Sequence, residues 1–239
     1  MKRILLFFLI LQLNTYAQIK AGTVEYKVSP VENGSGLDKL YEGLGINYLD
    51  RIKKLRFELK FNTQQSNFDL AKEFQDDMSD ETTLAKVKLG FEGAFFQTND
   101  SVYVDMSSSN FLGKKLILKK TLQKQWVLTN ESKKIDDFLC YKATLEIVRT
   151  YEQNIFKQTI VAWYCPKIPI LFGPMGYGGL PGLIIELQTK DAMFGVTKLT
   201  LNNVEDSSIS IPNKSIKTIS EKEFEEMMIK YSNNKLDKN

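Results

Sequence analysis

The sequence predicts one mainly-β domain: antiparallel strands forming a curved sheet or partly open barrel, with a short C-terminal helix and small helical pieces between the early strands. Three observations lead there. Short stretches in which apolar and polar residues alternate with period two recur along the chain, as half-buried strands require. A connector dense in proline and glycine, residues 166–182, lies between two apolar runs; proline fixes φ and removes a donor, and glycine permits φ > 0, so no helix survives there. A capping box, Ser220-Glu221-Lys222-Glu223, comes close to the end of the chain.

The elements follow in order. Lys2 and Arg3 precede an apolar run over residues 4–13, and Thr15-Tyr16-Ala17 places small residues at −3 and −1 of a cleavage site, so residues 1–17 read as a secretory signal peptide. The run is about half of the roughly 20 residues a spanning helix needs. The mature domain is then expected over residues 18–239, without a retained transmembrane anchor and without the cysteine of a lipoprotein. Val24, Tyr26 and Val28 alternate with Thr23, Glu25 and Lys27, a first strand. Leu37, Leu40, Leu44, Leu49 and Ile52 suit short helical turns. Leu55, Phe57, Leu59 and Phe61, interleaved with Arg56, Glu58, Lys60 and Asn62, give the clearest strand, and Phe68 and Leu70 its return. A helical piece begins near Asp80, and Thr98-Asn99-Asp100-Ser101 turns a hairpin. Strands follow at residues 116–118 and 126–128, then at 139–148 and 156–165, with a turn over residues 151–154. With that turn, Cys140 falls opposite Cys165. A buried strand over residues 183–187 and another over 194–204 come next. After a polar loop or edge strand, the capped helix runs to about Tyr231 and buries Phe224, Met227, Met228 and Tyr231; the tail frays from about residue 232.

Within the connector, Leu180-Pro181-Gly182-Leu183 fits a type II turn with Pro at i+1 and Gly at i+2. The run over residues 179–184, GLPGLI, resembles the signature of the GLPGLI family, exported envelope proteins of Bacteroidetes without a settled biochemical role. Ala162-Trp163-Tyr164, Ile168-Pro169-Ile170, Gly173-Pro174, Trp126, Lys134-Ile135, residues 140–144 and the closing Ser220-x-x-Glu223-Phe224 also fit. The resemblance implies location in the envelope and a general architecture; it assigns no activity.

Composition narrows the chemistry. The 239 residues contain no histidine, which removes a His-centred triad, a His general base and His-ligated zinc or copper. Formal charge is +3, and lower once Lys2 and Arg3 leave, so no nucleic-acid partner is expected. The lysines near Trp126 read as a solvated strand face. Asp76, Asp77, Asp80 and Glu81 lack the D-x-D-x-D-G order of a calcium loop and read as a solvated acidic stretch. The strap glycines lack both phosphate-loop patterns and lead into a strand, so no nucleotide cofactor is expected.

Five residues form the candidate ligand or partner surface: Trp163 and Tyr164, which face opposite ways as strand neighbours, Met175 and Tyr177 on the strap, and Glu186, a carboxylate in an otherwise apolar strand. Gly179, Leu180, Pro181 and Gly182 form the structural turn. Cys140 and Cys165 are expected to form a disulfide, as the only cysteines of an exported chain; the rival is a soft-metal pair. No catalytic set or metal site emerges. The expectation is an exported protein, periplasmic, outer-membrane-associated or secreted. It binds or assembles through a groove for an apolar ligand or the segment of an envelope partner. The alternative is a hydrolase using Asp or Glu.

Overall fold

The computed structural model describes residues 19–31, 36–107, 114–151, 154–202, 209 and 212–236. The leader read over residues 1–17 lies outside them, as do residues 152–153 of the expected hairpin turn. The strands, in chain order, are β1 (Ala21–Pro30), β2 (Arg56–Asn62), β3 (Gln65–Leu70), β4 (Phe95–Thr98), β5 (Ser101–Asp105), β6 (Leu116–Thr121), β7 (Val127–Ile135), β8 (Phe138–Tyr151), β9 (Asn154–Cys165), β10 (Leu183–Gln188), β11 (Ala192–Asn202) and β12 (Lys217–Ser220). They form one open sheet in the order β12-β6-β5-β4-β3-β2-β1-β11-β10-β9-β8-β7. Every pairing is antiparallel except β12 with β6, which is parallel. The helices are α1 (Gly36–Gly43), α2 (Tyr48–Lys54), α3 (Lys72–Gln75), α4 (Asp80–Leu89) and α5 (Glu221–Leu236). Among the described residues, no helix is long and apolar enough to cross a membrane.

Connectivity forces the sheet to curl. β6 is next to one edge and β7 is the other edge, yet only residues 122–126 join them. That connector reaches about 20 Å, whereas a flat sheet would set the two strands about 48 Å apart. The inner face of the curl is the core. Val24, Tyr26 and Val28 of β1, Phe57, Leu59 and Phe61 of β2, Phe68 of β3 and Phe194 of β11 are all buried on it, which is the period-two pattern of the sequence made physical. Phe57 is its hub: its ring centroid lies 5.2 Å from Phe68, 5.2 Å from Phe91 and 5.5 Å from Phe194. Tyr26, fully buried, donates its hydroxyl to the Ile184 carbonyl at 2.7 Å, beside a bulge in β10 between Ile184 and Glu186. Burial pushes its phenol far above the ordinary range.

The small helices close one end through polar networks. Ser79 caps α4 by accepting from the Thr82 amide, and Gly90 ends it at φ 65°. Asp77 pairs with Arg51 of α2 and accepts from Thr82 Oγ1 at 2.7 Å. Hydrogen bonds from the Ser79 amide and from the Thr82 and Ser79 hydroxyls, with the Arg51 charge, hold its carboxyl well below the usual carboxylate range. That part of the acidic stretch is therefore structural. Lys88 bridges Asp38 at 3.1 Å and Asp191 at 3.7 Å, tying α1 and α4 to the β10–β11 turn.

At the C-terminus the capping box forms: the Ser220 amide donates to Glu223 at 2.7 Å, and the Glu223 amide to Ser220 Oγ at 3.2 Å. The helix extends past Tyr231 to Leu236, beyond the end expected near Tyr231. Of the four side chains expected to bury, Phe224 and Met227 pack against the core. Met228 and Tyr231 are exposed, because the helix packs mainly on β6 and β12, which cover a narrow stripe of it.

Candidate functional site

The proline- and glycine-rich segment leaves β9 at Cys165 and returns at Leu183, crossing the inner face as a strap. Its buried residues include Ile168, Ile170, Phe172 and Leu180. The Ile168 amide donates to the Cys165 carbonyl at 3.1 Å, and the Leu183 amide to the Ile168 carbonyl at 2.9 Å, so the two ends of the strap are clamped together. A short 3-10 turn, Pro174–Gly176, carries it to β3 and β4. There Trp126, in the β6–β7 connector, donates Nε1–H to the Gly178 carbonyl at 2.9 Å and sets its ring 6.4 Å from Tyr177. The strap thus spans the mouth that curling leaves between the two ends of the sheet.

The expected type II turn is not what forms. The Leu183 amide is taken by Ile168, and the Gly182 amide donates to the Leu180 carbonyl at 2.8 Å, an i to i+2 bond closing an inverse γ-turn on Pro181. The pinned strap root decides between the two turns. Gly182 is required on other grounds: its φ is 157°, and a Cβ there would lie 2.3 Å from the Cys165 carbonyl oxygen.

The predicted surface residues fall into two places. Tyr164 faces inward, buried, with its ring 6.3 Å from Tyr141, and Met175 and Tyr177 are half-buried where the strap meets the sheet. Beside them, Gln97 is 2 % exposed with neither amide atom hydrogen-bonded, pressed against the strap at Gly178. Trp163 and Glu186 instead share the outer face as a cross-strand pair. Lys133 completes this cluster: its Nζ donates to Glu186 Oε1 at 2.8 Å and stands 4.3 Å from the Trp163 ring centroid. Sequence reasoning missed Lys133, and the β7–β8 register, which sets it opposite Cys140, was the signal that reveals it. Cys140 and Cys165, the expected disulfide, are free buried thiols; their placement opposite one another agrees with the β8–β9 register.

The outer face holds one perturbed acid. Burial raises the Asp69 carboxyl to about 6, with Asp105 and Glu58 adding to the rise and the Leu70 amide and Lys86 opposing it. Glu58 lies directly across from Asp69 on β2. The native state therefore holds a proton that the unfolded chain has released between about pH 4 and 6, and stability falls as pH rises through that window. Asp69→Asn is expected to stabilise the protein at pH 7 by about 1–2 kcal/mol and to flatten its stability between pH 4 and 6. Urea unfolding across that range checks it; an unchanged slope contradicts it.

β7 ends the sheet with one edge unpaired. Val127 and Leu128 on it, and Leu139 on β8, are 63 %, 53 % and 53 % exposed. The β8–β9 hairpin runs on beyond both neighbours: β7 pairs only as far as Thr144, and β10 only as far as Val161. Residues 145–151 and 154–160 therefore form a two-stranded arm bearing exposed Val148, Ile155 and Phe156. A cavity of about 10 Å³ lies between Gln65, Phe96, Tyr103 and Pro212, room for one water.

No curated protein matches the chain. Solved chains similar to it include "Structure of PNGF-II in P21 space group" at 15 % identity and TM-score 0.48, and "Structure of PNGF-II in C2 space group" at 16 % and 0.49. They cover 87 % and 88 % of this chain, which spans 33 % of the length of each of theirs. Residues 126–186, which hold β7 to β9, the strap and the start of β10, match the model of a family described as Protein of unknown function (Porph_ging).

Proposed function

We propose that the chain is an exported, non-catalytic binding or assembly protein of the cell envelope, a member of the GLPGLI family that its strap resembles, and that it receives an extended segment of a partner along β7. The observation that carries this is the open β7 edge, with its exposed Val127 and Leu128, continuing into the apolar arm of β8 and β9. An unpaired strand edge offers a row of free backbone donors and acceptors, the template for strand addition, and neighbouring apolar side chains supply selectivity. The inner face is filled by the phenylalanine cluster and the strap, which favours a partner segment over an enclosed apolar ligand. The leader read over residues 1–17 supports export.

A photo-crosslinking residue at Leu128, in protein produced in its own envelope, tests the proposal. The expected result is one adduct of defined mass with an envelope protein, absent when the same residue stands at exposed Lys60 on β2. Equal labelling at the two positions, or none at Leu128, contradicts it. One observation favours the second reading, an Asp/Glu-dependent hydrolase: the raised Asp69 carboxyl facing Glu58 across the β2–β3 pair, a poise suited to acid–base work.

A further inference from the structure

We propose that Cys140 and Cys165 are an oxidation site whose state is set while the chain folds and is then sealed beneath Lys133, Trp163 and Glu186. The β8–β9 register runs unbroken from Tyr151 opposite Asn154 to Tyr141 opposite Tyr164; one further step sets Cys140 against Cys165. Directly opposed residues of an antiparallel pair have Cα atoms about 4.5 or 5.5 Å apart, and both spacings suit a disulfide. The register therefore suits a bridge between them. Reduced, the pair is also accommodated: Cys140 Sγ lies 3.5 Å from the Phe138 carbonyl oxygen, to which it donates.

The cover follows from the strand order. Lys133 is opposite Cys140, and Leu183 opposite Cys165, so the four residues make one cross-strand row on the outer face. Glu186 is three strands from Lys133, about 14 Å along a flat sheet, so the lysine stem must lie across β8 to reach it. Cys140 and Cys165 are left 0 % and 1 % exposed. Thiol–disulfide exchange needs a thiolate that can reach the oxidant. Burial and the second sulfur oppose both, pushing the Cys140 thiol up to about 12. In the unfolded chain neither obstacle exists.

The chemistry requires a disulfide oxidant, which an oxidising compartment supplies. One cysteine thiolate attacks the oxidant's S–S bond, giving a mixed disulfide and one oxidant thiol. The second cysteine attacks the protein sulfur of that mixed disulfide and expels the other oxidant thiol. Two cysteine S–H bonds and one oxidant S–S bond become one Cys140–Cys165 bond and two oxidant S–H bonds, with two electrons passing to the oxidant. Because the strap leaves β9 at Cys165, the bridge staples its root to β8. This chemistry is independent of the binding role proposed above.

The test uses the full chain. Reduced, unfolded protein is refolded with oxidised glutathione, and folded reduced protein is treated with the same oxidant; thiols are then counted by alkylation and mass. Refolded protein is expected to be lighter by about 2 Da, closed to alkylation, and higher in Tm by about 5–10 °C than its reduced form. Folded reduced protein should keep both thiols at least about 100-fold longer than unfolded protein. Lys133→Ala, with an unchanged circular dichroism spectrum, should speed thiol labelling about ten-fold; Glu186→Gln, which releases the lysine, serves if that variant fails to fold. Two free thiols in normally refolded, oxidant-treated protein overturn the pairing. Labelling of the folded parent as fast as unfolded chain, or no acceleration in the variant, overturns the seal.

Discussion

Gly182→Ala is expected to destabilise the protein by about 3 kcal/mol, lowering Tm by about 6–12 °C. The new methyl group would stand 2.3 Å from the Cys165 carbonyl oxygen and 2.8 Å from Pro166 Cα. Both are backbone atoms, and neither can rotate aside as a side chain does. The carbonyl is committed to the Ile168 amide, and the Ile168 carbonyl to the Leu183 amide, so relief at Gly182 loosens the clamp at the strap root. Pro181→Ala, which mainly adds freedom to the unfolded chain, should cost about 0.5–1 kcal/mol. Thermal unfolding of the two variants decides: a Gly182→Ala protein that melts with the parent contradicts the close approach.

Phe57→Ala is expected to cost more, about 3–5 kcal/mol. Phe57 is fully buried and its ring meets those of Phe68 on β3, Phe194 on β11 and Phe91 beyond α4. Truncation leaves a cavity walled by three rings held on separate elements, which cannot all collapse into it. Loss of near-ultraviolet dichroism together with a lower urea midpoint is the expected readout. A loss below about 1 kcal/mol would show that the inner face is not one packed core.

How much of this was legible in the sequence depends on whether the signal was local. β2 was plain because Phe57, Leu59 and Phe61 alternate with charges, and the Ser220 box was plain because a cap is a four-residue pattern. The opposition of Cys140 and Cys165 was also readable, since one turn fixes the register of a hairpin. β7 was not: beyond Leu128 it reads TNESKKI, an exposed edge strand with no apolar alternation to announce it. Nor was the parallel β12–β6 pairing, which joins segments distant in the chain. The turn at Pro181 went to a γ-turn because a partner outside the motif, Ile168, claims the Leu183 amide. Of the site, Trp163 and Glu186 were legible as chemically odd residues in apolar strands, whereas Lys133, one lysine among many, acquires meaning only from its place on β7.

The claim that most needs testing is that the outer edge of β7 is an unpaired strand edge and a place of strand addition. Amide hydrogen exchange along residues 127–135 tests it directly. In the isolated protein the amides that point into β8 should be protected and the alternate, outward ones should exchange at rates close to those of an open chain. In the complex isolated through the Leu128 adduct, the outward amides should slow by at least about 100-fold. Outward amides already protected in the isolated protein, or unchanged in the complex, would contradict the account.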